Sequence, residues 1–312
     1  MALGTALLSA IAILAASIAI WIGSGYFEAA ATRLAAVYGL PAVVQGSVVV
    51  AIGSSLPELA SVVAAGLLGS FDLGVGAIVG SAIFNVLVIP AVAALSTARP
   101  LEASRAIVYK EAQFYMISVS ALVVTLALAV IYVPVPAGPA LLGQLTRPLA
   151  MIPLGLYGLY LFIQWQDVSD FAPPAPPAGI DRRREGGKFV AGLLVILVAV
   201  NLLVGEVEAL SATFAVPSFL AGVTVVAAAT SLPDLLVSVR SAGDARSETS
   251  LGNVLGSNTF DLLVAIPVGV LIVGTVPVDF AVAAPMFGVL TLATVLLFTL
   301  LRTKLTLSTA ES

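Results

Sequence analysis

Apolar segments long enough to cross a lipid bilayer follow one another along almost the whole chain. A transmembrane helix needs about 20 mainly apolar residues, and nine segments reach that length. They lie at about 3–24, 41–67, 73–97, 107–133, 147–166, 188–206, 216–240, 250–274 and 279–301. Charged residues make up only 10% of the chain, whereas soluble domains carry about 25%. We therefore predict an all-α polytopic membrane protein with nine spans.

The basic residues predict how these segments are oriented. If the N-terminus lies outside and successive segments alternate in direction, 12 of the 13 basic residues fall on the cytoplasmic side. Arg147 is the exception. Cytoplasmic loops are enriched in Lys and Arg, so we predict a protein integral to the plasma (cell) membrane with its N-terminus outside.

An internal repeat gives the arrangement of the spans. At a shift of 176 positions, residues 41–91 align without a gap with residues 217–267. Identical pairs include Pro41 and Pro217, Ser55 and Ser231, Pro57 and Pro233, Gly80 and Gly256, and Phe84 and Phe260. An odd number of spans, five, separates the copies, so they enter the membrane in opposite directions. Inverted repeats of this kind are typical of secondary transporters, which bind their substrate near the midplane.

A polar connection divides the chain into two halves. Residues 167–188 are rich in Pro and then in Arg, as in a solvated linker, and the predicted orientation places them in the cytoplasm. The N-terminal transmembrane half is 1–166 and the C-terminal half is 189–312. We expect two inverted-topology, five-helix-type repeats.

Three acidic residues lie deep in apolar segments. They are Glu58, Asp234 and Asp261, and no Lys or Arg lies at comparable depth. A buried carboxylate without a cationic partner must be protonated or matched by a bound cation. Intramembrane acids usually mark ion pathways or proton relays. Charge balance therefore predicts a cationic ligand.

Oxygen-bearing residues surround these acids. Ser54 and Ser55 precede Glu58 by four and three positions, on one helix face. Pro57 disturbs the helical hydrogen bonding, and we expect it to release backbone carbonyls, notably of Ala51 and Ser54.

The second copy repeats this pattern, and the span after each copy adds a second polar pair. The residues concerned are Ala227, Thr230, Ser231, Pro233 and Asp234, followed by Ser81 with Asn85 and Ser257 with Asp261. The chain has no Cys and no His, so nitrogen and sulfur ligands are absent from this set. An all-oxygen set favours hard cations such as Ca²⁺ and Na⁺.

Four motifs at matching spacing resemble those of the cation/calcium exchanger superfamily, which includes sodium/calcium exchangers and their potassium-dependent relatives. The motifs are GSSLPE (53–58), GSAIFN (80–85), ATSLPD (229–234) and GSNTFD (256–261). The resemblance implies that Glu58 and Asp234 share Ca²⁺, with Ser54 and Thr230 as ligands at the helix kinks. It also implies flanking Na⁺ sites. These draw on Ala51, Ala227, Ser81 and Ser257, with Asn85 and Asp261 around the middle position.

The same resemblance implies a mechanism and one departure from the family. Sliding of spans 1 and 6 across the core is expected to switch access between the two sides. Members usually have ten spans, and the segment after Arg302 is too short to cross, so we expect the tenth helix to be absent from this chain.

The sequence therefore predicts an antiporter that exchanges Ca²⁺ for Na⁺. Potassium-dependent exchange and H⁺/cation exchange remain alternatives, because Asp261 and the other acids could serve K⁺ or protons. Two further rivals are an intramembrane aspartyl protease and a passive cation channel. We expect no prosthetic group, no nucleic acid and no obligate protein partner; the partners are Ca²⁺, Na⁺, K⁺ under the alternative, and the lipid bilayer.

Overall fold

The computed structural model describes residues 2–38, 49–97, 101–105, 107–136, 138–168, 179–243, 247–302 and 305–307. These residues are mostly helical. We number the α-helices as α1 (Ala2–Val37), α2 (Ala51–Ser54), α3 (Leu56–Leu67), α4 (Phe71–Leu95), α5 (Gln113–Tyr132), α6 (Arg147–Val168), α7 (Arg182–Phe214), α8 (Ser218–Ala221), α9 (Ala227–Thr230), α10 (Leu232–Gly243), α11 (Ser247–Phe260), α12 (Ile266–Val273) and α13 (Phe280–Arg302). Wider π-helical turns occupy Ile107–Ala112, Gly222–Val226 and Asp261–Ala265.

Seven helices in the described part of the chain are long and apolar enough to cross a membrane. A bent pair, Ser218–Thr230 and Leu232–Gly243, meets at 44° and raises the number to eight if it forms one span. The predicted span 41–67 begins in residues outside the described ranges, and its described end contains the 12-residue apolar helix α3. The predicted helical membrane fold is confirmed, while the number of nine spans stays a prediction.

Two pairs of short strands connect distant loops. Strand β1 (Leu101–Glu102) pairs with β4 (Thr306–Leu307), and β2 (Leu142–Leu145) pairs with β3 (Val276–Asp279), both antiparallel. The first pair joins two loops that the sequence assigns to the cytoplasmic side. The second joins two loops assigned to the outside, so both pairings are consistent with alternating spans.

The spans differ in how deeply they lie in the bundle. In an 18-residue apolar stretch of each span, 78% of the residues are buried in 249–273 (α11, a π turn and α12) and 61% in α4, compared with 17% in α1. Helix α4 packs against α3, α10, α11 and α13 and is therefore central. Helix α1 faces outward and packs along α7.

Glycines allow the closest helix contacts. On α4, a Cβ at Gly76 would clash with the carbonyl oxygen of Phe219, and one at Gly80 with that of Val223. A Cβ on Gly222 would clash in turn with the carbonyl oxygen of Leu73. Small residues permit this approach of two backbones in membrane bundles. The two copies of the sequence repeat thus meet backbone to backbone at α4.

We expect Gly80→Ala to destabilise the bundle. The new Cβ would clash with the Val223 carbonyl oxygen and would lie 2.7 Å from the Ala227 Cβ. Overpacking of this kind costs about 1–3 kcal/mol of stability. The midpoint of thermal unfolding in detergent should fall. Gly155→Ala on α6 is the matched control, because nothing lies within 4 Å of a Cβ there. Equal midpoints for both variants would contradict this packing.

Candidate ion-binding site

Both helices that carry a Pro-acid pair are interrupted one turn before the acid. The break lies at Ser55, between α2 and α3, and at Ser231, between α9 and α10. Helical bonds persist from Ser55 N–H to Ala51 O (3.1 Å) and from Ser231 N–H to Ala227 O (3.0 Å). The next bonds run from Leu59 N–H to Ser55 O and from Leu235 N–H to Ser231 O, both 3.1 Å, and none of the described bonds across the breaks reaches the carbonyls of Ser54 and Thr230.

One detail of the carbonyl prediction is wrong. The carbonyl of Ala51 is not released, because it accepts both the Ser55 N–H and the Ser54 hydroxyl, the latter at 3.2 Å. The proline at position 57 removes the donor to Gly53, two residues further along than Ala51. The Ala227 carbonyl is occupied in the same way, by Ser231 N–H and by the Thr230 hydroxyl at 3.4 Å.

The predicted site residues are all buried. Exposure is 0% for eight of them and at most 2% for the other two, which are Ala51 and Ala227. The eight are Ser54, Glu58, Ser81, Asn85, Thr230, Ser257, Asp234 and Asp261. They come from the two helix breaks, from the middle of α4 and from the span 249–273, so the structure places all four motifs in its interior.

A chain of hydroxyls links the first acid to the second copy of the repeat. The Ser81 hydroxyl donates to Glu58 Oε1 at 3.3 Å, and the Ser231 hydroxyl donates to Ser81 Oγ at 2.8 Å. Glu58 Oε2 is buried and has no hydrogen-bond partner. This carboxylate is therefore only half satisfied.

Two amides hold the second acid. Asn85 donates to Asp234 Oδ2 at 2.9 Å, and Asn253 donates to Asp234 Oδ1 at 3.3 Å. Asn253 also accepts the Ser54 hydroxyl at 3.4 Å, which connects Asp234 to the first helix break. Asn85 donates as well to Asn258, at 2.9 Å. Asp234 is thus oriented through both of its oxygens.

Several buried acceptors in the site lack donors. They include both oxygens of Asp261, Oε2 of Glu58 and Oδ1 of Asn85, and the nearest donor to Asp261 is the Ser55 hydroxyl, which interacts with it without forming a well-aligned hydrogen bond. Buried polar groups are nearly always paired, so a set of orphan oxygens in one interior region is the arrangement that a bound cation satisfies.

Electrostatics within the site are repulsive. The charge of Glu58 interacts unfavourably with those of Asp261 and Asp234. Among the described residues, none of these three acids forms an ion pair with Lys or Arg. In the same part of the chain, no three acidic side chains gather closely enough to hold a metal ion by themselves. Hydroxyl, amide and carbonyl oxygens supply the remaining ligand-type atoms.

The hydroxyls of two predicted site residues donate hydrogen bonds to backbone carbonyls of their own helices. Thr230 donates to the carbonyl of Val226 at 3.1 Å, and Ser257 donates to that of Val254 at 3.3 Å. The same hydroxyls also interact with the acids, Thr230 with Glu58 and Ser257 with Asp234, so the helix backbone and the carboxylates compete for their hydrogens.

Sequence reasoning missed three polar residues around the site. Asn253 and Asn258 are almost fully buried, and Asn258 donates to the carbonyl of Ala82, its own partner in the sequence repeat, at 3.1 Å. Glu28 on α1 interacts through charge with Asp234. The GSN motif at 256–258 was a usable signal for Asn258, whereas nothing local pointed to the other two.

A buried, oxygen-lined site between discontinuous membrane helices defines the class of protein as an ion transporter. The family model described as "Sodium/calcium exchanger protein" matches residues 8–166 and 187–312. The chain belongs to this family. It is a transporter and not an enzyme, so the protease alternative is wrong, and the predicted resemblance is confirmed.

Known relatives and solved structures agree with this assignment. Inner membrane protein YrbG of Escherichia coli (strain K12) is 30% identical over 260 residues, covering 78% of this chain and 73% of the relative. Putative antiporter CaxA of Alkalimonas amylolytica is 28% identical over 258 residues, covering 79% and 75%. A structure of the sodium-calcium exchanger NCX_Mj superposes with a TM-score of 0.64 at 22% identity, covering 98% of this chain and 94% of that one. The last match shows the shared fold.

We expect Asn253→Ala to destabilise the protein in ion-free buffer. The change removes the donor to Asp234 Oδ1, the acceptor for Ser54 and a 3.4 Å bond to Ser238. Leaving such buried groups unpaired costs about 1–3 kcal/mol, so the thermal midpoint in detergent should fall. Asn201→Ala is the control, since Asn201 is exposed on α7. An unchanged midpoint for Asn253→Ala would show that this amide does not hold the aspartate.

Proposed function

We propose that the protein exchanges Ca²⁺ for Na⁺ across the membrane by alternating access at the buried carboxylate site. The observation that carries this proposal is the pair Glu58 and Asp234, both with 0% exposure and without an ion pair among the described residues. Membership of the sodium/calcium exchanger family supports the choice of cations. We propose further that the site lies near the bilayer midplane between two inverted repeats.

We assign Ca²⁺ to the space between Glu58 and Asp234. The carbonyls of Ser54 and Thr230, left without helical donors by the two breaks, are its neutral ligands. Carboxylate and carbonyl oxygens together suit Ca²⁺, which takes six to eight oxygen ligands. The unpaired Oε2 of Glu58 supports this assignment, because it has no competing donor to displace.

Na⁺ ions take flanking positions in the same interior region. They draw on the carbonyls of Ala51 and Ala227 and the hydroxyls of Ser81 and Ser257, with Asn85 and Asp261 around the middle. Each of these carbonyls accepts one helical N–H, and its second lone pair becomes available when the neighbouring hydroxyl donates elsewhere, Ser54 to Asn253 and Thr230 to Val226. The unpaired oxygens of Asp261 and Asn85 support the middle position.

Exchange follows from competition for shared carboxylates. Occupancy by Ca²⁺ excludes Na⁺, and the empty, charged site resists crossing between the two states because buried charge is then uncompensated. Helices α1 and α7 slide across the core to switch access. The outward position of α1 and its packing along α7 support this assignment.

The test is uptake of radioactive calcium into proteoliposomes, driven by a Na⁺ gradient at clamped pH. The wild type should accumulate Ca²⁺, and Glu58→Gln should reduce uptake by at least about tenfold, the factor that corresponds to roughly 1.4 kcal/mol. Glu102→Gln is the control, because Glu102 is an exposed acid on strand β1. Full uptake by Glu58→Gln would remove the site assignment.

Three further outcomes of the uptake assay distinguish the alternatives. Uptake that follows a pH gradient and ignores Na⁺ would establish H⁺/cation exchange in place of Na⁺/Ca²⁺ exchange. Uptake that requires K⁺ on the Ca²⁺ side would establish potassium-dependent exchange. Flux that needs no counter-ion would indicate a channel.

Orientation in the membrane forms a separate prediction. The chain has no cysteine, so single cysteines can be labelled without background. We expect an impermeant maleimide added to intact cells to label Thr213→Cys and not Arg183→Cys, since these residues lie near opposite ends of α7. Both positions are exposed. The reverse pattern would overturn an outside N-terminus and a cytoplasmic linker.

A further inference from the structure

A fourth acid, Glu28, lies beside the candidate site on a different structural unit. Helix α1 packs against α2, α9 and α10, the segments that flank both helix breaks. A Cβ on Gly53 would lie 3.7 Å from the Phe27 ring and 3.8 Å from Glu28 Cα. Glu28 therefore sits against the residue that precedes Ser54, and its charge interacts with that of Asp234.

A buried hydroxyl accompanies Glu28 on the same helix. Ser24 precedes it by one turn, so the two side chains share a face of α1. Ser24 has 0% exposure, and its hydroxyl has no hydrogen-bond partner. Serines in membrane helices usually donate to a carbonyl of their own preceding turn, as Ser17 does to Ile13 at 2.8 Å on this same helix. Ser24 is thus an oxygen ligand that the helix itself does not use.

The positions of Arg240 and Arg33 indicate on which side of the candidate site Glu28 lies. The charge of Glu28 interacts favourably with Arg240, which follows Asp234 by six residues, about 9 Å along α10. On α1, Glu28 is followed by Arg33, which bonds Glu185 at the start of α7 at 3.1 Å. Glu28 is half-buried. It lies between the buried site and the protein face that carries Arg33 and Arg240.

We propose that Glu28 and the Ser24 hydroxyl form an accessory position for a hard cation, Ca²⁺ or Na⁺, between the candidate site and the Arg33 face. This inference rests on the proposed exchange function. The position concentrates cations next to Asp234, and Arg240 weakens its field so that the ion is released. Because the position lies towards one face, it mainly governs ion entry from that face, and its coupling to Asp234 contributes only weakly to affinity at the buried site.

Kinetics measured separately at the two faces test this position. We expect Glu28→Gln to raise the KM for Ca²⁺ at the Arg33 face about three- to tenfold, within the range of electrostatic effects on ion association. The kcat and the KM at the opposite face should not change. Arg240→Gln should lower the KM at the Arg33 face, and Ser24→Ala should raise it. The Glu28→Gln effect should shrink at an ionic strength of about 0.5 M, set with choline chloride, because salt screens partly exposed charges.

Full-length protein in proteoliposomes supplies both measurements. Varying Ca²⁺ outside or inside the vesicles gives the two KM values, and impermeant maleimide labelling of Arg183→Cys gives the fraction of each orientation. Glu102→Gln is the matched control, since it removes an exposed acid elsewhere. Equilibrium binding of Ca²⁺ in detergent should weaken far less in Glu28→Gln than the KM at the Arg33 face rises, and should be lost in Glu58→Gln.

Each contrary result has a distinct meaning. Equal KM changes at both faces, or values for Glu28→Gln that match those of Glu102→Gln, would overturn the accessory position and leave the exchange function standing. Loss of equilibrium binding in Glu28→Gln would also overturn it, because Glu28 would then belong to the buried site. If Glu28→Gln fails to fold, the KM of Arg240→Gln for Ca²⁺ at the Arg33 face provides the test. A KM that does not fall would overturn the accessory position. Wild-type protein that shows no Na⁺-driven uptake would refute the proposed function itself.

Discussion

Uncompensated negative charge in the interior of an apolar bundle constrains the rest of this structure. Glu58, Asp234 and Asp261 are fully buried, and their mutual repulsion opposes close approach. The surrounding side chains supply only neutral donors: two amides bond Asp234, one hydroxyl bonds Glu58, and Asp261 has only a weak interaction with the Ser55 hydroxyl. The hydrogen bonding of these three carboxylates is therefore incomplete. A fully bonded network would stabilise the ion-free protein, whereas orphan oxygens favour a state in which a cation completes the shell.

The two main acids are held differently, although the sequence repeat makes them equivalent. Asp234 is oriented through both oxygens, while Glu58 is bonded through one. The difference arises because the two amide donors to Asp234, Asn253 and Asn85, align in the repeat with Ala77 and Asp261, which carry no amide. Glu58 is therefore less constrained than Asp234, and under the proposed function it could reorient towards an ion while Asp234 stays in place. Local sequence similarity between the copies does not impose equal roles on their acids.

Much of the fold and part of the site follow from local sequence. Span positions depend on composition, and the helix breaks depend on Pro57 and Pro233, so both can be predicted. Asn253 acts across three segments of the chain, and only tertiary packing brings those segments together. Glu28 was missed for another reason. The apolar segment ends near residue 24, yet α1 continues to Val37 because Phe27, Ala30, Ala31 and Ala35 bury a stripe of its surface.

The contact between α1 and α7 links the proposed sliding motion to the site. A Cβ at Gly192 would lie 2.8 Å from both the Gly23 carbonyl and the Phe27 amide nitrogen, so the two backbones touch. At their ends, Glu185 accepts from Arg33 at 3.1 Å and from Lys188 at 2.7 Å. These contacts favour movement of the two helices as one body. Glu28 lies between the contacts on α1, so any such movement displaces its carboxylate relative to Asp234. A slide that opens the site to one face would then also change the electric field along the route from that face. Access and the attraction of ions would thus change together, and no separate gate would be needed.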